Sequence, residues 1–153
     1  MKRKKAQANL ELLILFAGAM LILALLAVVL PTQAIGSQMV REKQIAQGSV
    51  DLVAETADEV YLTGEGAVKH IWIEVPETAD VETLDYSFIG AKSGETNWSK
   101  KKMVNLYLLV EGDVFAITRA PVCGQWPYTA GRHKVVVEYN GTGNPHVMVN
   151  KNC

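Results

Sequence analysis

A chain of 153 residues has room for one modest globular domain and an appendage. Its 15 Lys and Arg against 16 Asp and Glu give a formal net charge of −1, which removes the electrostatic case for a nucleic-acid partner. Two cysteines, Cys123 and Cys153, have neither CxxC spacing nor an adjacent His, and so do not form a zinc framework.

Charge is unevenly placed along the chain. Lys2, Arg3, Lys4 and Lys5 precede an uncharged run, and without these four the balance becomes 11 basic against 16 acidic residues, a formal −5. The run itself, Leu12 to Leu30, is nineteen apolar residues. As a helix rising about 1.5 Å per residue it spans roughly 28 Å, the thickness of a bilayer's hydrocarbon core. It is apolar on all sides and therefore requires lipid or a sheath of other helices. The basic cluster before it marks the cytoplasmic side and directs the rest of the chain outward.

Two rivals share this pattern, a third, a buried core helix, being set aside because a domain this small could not enclose nineteen apolar residues. A secretory signal would use Lys2–Lys5 as its basic region and Thr32-Gln33-Ala34 as a cleavage site. However, the apolar run exceeds the usual signal core of about 7–15 residues, and Glu11 is an anion in a flank that is normally neutral or cationic. A permanent membrane anchor is the second rival.

Beyond the run, Pro31 is expected to kink the helix and Gly36 to loosen it. Helical periodicity resumes from Ser37 to Tyr61, with Ala46, Val50, Val53, Ala57 and Val60 on one face. Arg41, Glu42, Lys43, Asp51, Glu55, Asp58 and Glu59 mostly occupy the others. Gly64 and Gly66 are expected to end the helix.

The boundary reads Lys4-Lys5-Ala6-Gln7-Ala8-Asn9-Leu10-Glu11-Leu12-Leu13. It resembles the class III signal peptide of archaeal type IV pilins, in which a basic leader ends in a small residue before a Gln and a Glu follows four residues later. Asn9 stands where that family often has Ser. The resemblance implies cleavage by a prepilin peptidase between Ala6 and Gln7, with Glu11 as an assembly residue. It implies a leader over 1–6 and a retained long helix over 7–61 whose part 10–30 serves first as a transmembrane segment and then as filament core. It also implies a globular β domain over 67–153. The expected partners are other copies of the chain, the peptidase and a pilus assembly platform. The expected location is the cytoplasmic membrane as precursor, then an extracellular adhesion filament. Physical chemistry runs parallel to the resemblance. Gln7 and Glu11 share a helix face, so the new ammonium and the Glu11 carboxylate lie close together. A carboxylate moved into a dry core needs such a cation, its own or a neighbour's.

After Gly66 the periodicity alternates. Strands are expected at Val68–Val75, Thr83–Gly90, Met103–Val110, Val114–Arg119, His133–Tyr139 and His146–Asn150, with hairpin turns at Glu111-Gly112-Asp113 and over 140–144. The expected fold is α+β: a long helix whose amphipathic half covers a small antiparallel, sandwich-like β domain.

No catalytic or cofactor constellation emerges. His70, His133 and His146 lie on separate strands without ligand spacing, and Lys100-Lys101-Lys102 reads as a solvated loop. The sequons Asn97-Trp98-Ser99 and Asn140-Gly141-Thr142 are expected in exposed loops, where N-glycosylation at Asn97 and Asn140 has room. In an exported chain the even cysteine count favours a Cys123–Cys153 disulfide, tying the C-terminus to the loop expected after the Val114–Arg119 strand, two unrelated thiols being the alternative.

Overall fold

The computed structural model describes residues 2–81, 87–90, 101–109, 112–141 and 146–150, with side chains described outside 2–10 and 29–35. It is α+β. Helix α1 covers Lys2–Thr63, and seven strands follow: β1 (Val68–Val75), β2 (Phe88–Ile89), β3 (Met103–Leu108), β4 (Gly112–Ile117), β5 (Val122–Gln125), β6 (Gly131–Asn140) and β7 (His146–Val149). The chain forms two compact units, Met1–Gln38 and Met39–Cys153.

The first unit is helical. Residues Glu11–Val28 are long and apolar enough to cross a membrane, and none of that stretch is buried. The helix assignment continues through Pro31 and Gly36, where the sequence suggested a break. A proline removes a single donor from the helical ladder, and the bonds before and after it can carry the helix onward. The C-terminal end behaves as expected: Gly64 adopts φ +102°, and its N–H donates to the Val60 carbonyl at 3.3 Å, closing the last turn.

In the second unit the C-terminal half of α1 lies on the sheet. Ala46, Val50, Val53 and Ala57 are fully buried and Val60 nearly so, which matches the spacing read from the sequence. These residues join Ile71, Ile73, Val75, Val135 and Val137 in one core. Residues alternate across a strand, so those five strand residues define the inner face of β1 and β6. Sheet order is β1-β6-β7-β5-β2, with β3-β4 as a separate two-stranded ribbon. β1 coincides with the expected strand, and Trp72 lies opposite Lys134 on β6.

The sheets depart from the expected pattern in three respects. First, the larger sheet is not wholly antiparallel: β5 and β7 run parallel, with Cys123 opposite Met148. Parallel neighbours need a crossover, and here β6 lies between them in sequence. Second, β5 lies where the sequence suggests a loop after the Val114–Arg119 strand. It is four residues long, follows Pro121 and contains Gly124, so no alternation can develop; yet Val122 and Cys123 are fully buried. Gly124 is required there, because a Cβ would meet the Val149 carbonyl oxygen at 2.3 Å. Third, Asn140 is the last residue of β6, paired with His146, where the sequence suggested a turn. Of the expected 83–90 strand, Phe88–Ile89 is β2 and residues 83–86 lie outside the described residues.

Candidate functional site

The first functional element is the exposed apolar helix. Twelve large apolar side chains between Leu12 and Val28 are exposed, from Leu26 at 47% to Leu15 at 74%. At about 1.5–3 kcal/mol per fully buried side chain, covering them is worth roughly 20–35 kcal/mol before ordering costs. That sum favours a non-aqueous environment for the segment. Ala6 and Gln7 fall within α1. Glu11, at the start of the apolar stretch, is exposed. A lone carboxylate heading a stripe of Leu, Ile and Phe would be costly to bury without a cation.

A second element is built where α1 borders β4. The Gln47 amide donates to the Phe115 carbonyl at 3.2 Å and to the Asp51 carboxylate at 2.8 Å, holding the helix along the edge of the ribbon. About three turns beyond Gln47, Asp58 accepts the backbone N–H groups of Arg119 at 2.7 Å and Ala120 at 3.2 Å, clasping the chain as it leaves β4. Between them lies an open groove of about 590 Å³ lined by Asp51, Glu55, Glu59, Leu62 and Ile117 among others. Leu62 is 71% exposed and Ile117 76% exposed. The groove is thus acidic with apolar walls. Glu59 also pairs with Lys69.

The third element is the outer face of β1 and β6, on the side of the sheet away from α1. Exposed Trp72 carries the Arg132 guanidinium 5.1 Å from its ring centroid. Lys134 is its cross-strand neighbour, and His70 and Glu74 flank it along β1. A guanidinium over an indole face is attracted to the negative ring face, which favours this placement of Arg132.

The remaining sites stay apart. His70 is exposed, His146 is 9% exposed on β7, and His133 Nε2 lies 2.7 Å from the Thr129 carbonyl. Among the described residues, no three His, Cys, Asp or Glu side chains converge on a common point. Lys101 and Lys102 precede β3, and their carbonyls accept the Val122 and Thr118 N–H groups, each at 2.9 Å. Lys100, Asn97, Thr142 and Cys153 lie outside the described residues. Cys123, expected in a loop, is fully buried on β5, and among the described residues no cysteine is free. Sequence reasoning missed the tertiary roles of Ser49 and Asp58. Each is a short polar residue on the amphipathic half of α1, and their partners are 25 to 62 residues away.

No protein-family model, curated protein or solved structure matches this chain.

Proposed function

We propose that this protein is a type IV pilin-like subunit. In this reading it is inserted in the cytoplasmic membrane, trimmed between Ala6 and Gln7 by a prepilin peptidase, and polymerised through α1 into an extracellular adhesion filament. One observation carries the proposal: an apolar helix of membrane length, exposed throughout Glu11–Val28, follows directly on the Ala6-Gln7-to-Glu11 motif. A cleavable secretory signal has no use for helix beyond its cleavage site. Here α1 runs on to Thr63 and supplies one wall of the globular core.

The mechanism follows from solvation. In the membrane, lipid covers the apolar segment. An assembly platform that withdraws the subunit exchanges lipid contacts for helix contacts; lipid is as apolar as the helices, so the exchange is tolerated only when many bundled helices keep water from the segment. Glu11 then discriminates against misplaced subunits, because its carboxylate is tolerated only beside an ammonium. The β domain forms the filament's surface. A Cys123–Cys153 disulfide would pin the C-terminus to β5, and glycans on Asn97 and Asn140 would lie on the outside; both suit an extracellular setting.

Mass spectrometry of protein recovered from sheared cell-surface material tests the proposal. An N-terminus at Gln7 is expected. An N-terminus at Ile35 would establish a secretory signal, and recovery only from detergent-extracted membrane as single copies would establish an anchored binding module.

A further inference from the structure

We infer that the outer face of the β3–β4 ribbon pairs with the same face of a second copy of this chain, about a two-fold axis. The inference goes beyond the filament reading and stands without it.

Residues alternate between the faces of a strand, and the ribbon's inner side chains, Val104, Leu106, Leu108 and Val114, all join the core. The outer face of such a ribbon is ordinarily polar. Here it presents Met103, Phe115 and Ile117, which are 42%, 54% and 76% exposed. The register sets Met103 beside Ile117 and Asn105 beside Phe115, so the three make one patch rather than scattered side chains. A contiguous exposed apolar patch marks a contact surface. Phe and Met are among the residue types enriched at such contacts, and so is Arg.

Charge placement selects the occupant. Exposed Asp113 lies two residues before Phe115, and exposed Arg119 two residues after Ile117. Among the described residues, neither the Asp113 carboxylate nor the Arg119 guanidinium has a hydrogen bond or ion pair within the chain. The carboxylates of the groove belong to α1, which runs beside the β4 edge and leaves this face open. Along β4 the surface therefore reads anion, apolar patch, cation. A two-fold axis lying between the two faces and crossing β4 at Ala116 reverses that order in the second copy. Phe115 of each copy then faces Ile117 of the other, and Asp113 of each faces Arg119 of the other. Stacking the two strands in parallel would instead set Asp113 against Asp113 and Arg119 against Arg119. Packed sheets stand about 10 Å apart, within reach of a carboxylate and a guanidinium extended from opposite sides. The patch is thus its own complement, and a contact of this kind closes at two copies.

Sedimentation velocity of the full-length chain in density-matched detergent micelles tests this. A monomer–dimer equilibrium is expected. Asp113→Arg or Arg119→Glu alone should lower the association constant at least about tenfold, because each puts two like-charged pairs into the contact. An equal mixture of these two variants should recover the wild-type constant to within about threefold, since each meets its opposite charge at both ends of the other. Only a two-fold contact rescues in this way, and misfolded variants could not. Ile117→Ser, at an exposed position, should weaken association independently of charge. Wild-type association in Ile117→Ser and in both charge variants would place the contact on the apolar helices and overturn the inference. A chain that stays monomeric up to about 1 mM would also overturn it, leaving the face to a different protein.

Discussion

Ser49→Ala should loosen the attachment of the sheet to α1. Ser49 is 6% exposed; its hydroxyl donates to the Glu74 carbonyl at 2.7 Å and accepts the Glu74 N–H at 3.1 Å. Among the described residues β1 is an edge strand, paired with β6 alone. One helix side chain therefore satisfies both backbone groups of a residue on the open edge. Removing the hydroxyl deletes two hydrogen bonds, each worth about 1 kcal/mol net, and leaves a donor and an acceptor seeking water. The Glu74 side chain is exposed, so partial rehydration is open to them and the expected loss stays near 2 kcal/mol, below the sum of two full desolvation penalties. That corresponds to roughly a thirtyfold smaller folding constant. Guanidinium unfolding of the full-length protein in detergent, followed by tryptophan fluorescence, measures it, and hydrogen exchange at the Glu74 amide should accelerate in parallel. Ser49→Thr keeps the hydroxyl and serves as the control. A loss below about 0.5 kcal/mol with unchanged exchange at Glu74 would refute the reasoning.

Two further outcomes follow from the proposed assembly. Glu11→Gln should reduce filament number on cells while leaving the unfolding midpoint of the β domain unchanged; wild-type filament counts by electron microscopy would remove the role given to that carboxylate. Denatured, unreduced protein should resist iodoacetamide at both Cys123 and Cys153. Reduction should then cost about 3–4 kcal/mol of stability for a closed loop of about thirty residues, and labelling of both thiols before reduction would exclude the bond.

What the sequence disclosed followed the strength of its periodicities. Five apolar residues at helical spacing from Ala46 to Val60 could point in only one direction, and all are buried. The alternation in Val68–Val75 was long enough to fix the strand and its inner face together. β5 offered no such pattern: four residues between Pro121 and Trp126 gain their place from parallel pairing to β7, a tertiary contact with no local signature. Cys123 was misplaced for the same reason. At the candidate surfaces, the apolar helix was legible as a run of like residues. The groove was not, because Leu62 and Ile117 come together only when β4 lies along α1. Trp72 and Arg132 likewise meet through the β1–β6 register across sixty residues of sequence.

The central claim is that the exposed apolar half of α1 ends in the dry core of a helical polymer. Electron cryomicroscopy of filaments sheared from native cells, with the subunit identified from its density, tests this most directly. The account predicts a core of bundled helices beginning at Gln7, with Leu12 to Leu30 facing other copies and the β domains outside. Filaments whose density fits a different chain, with this protein recovered only as single copies in the membrane, would contradict it.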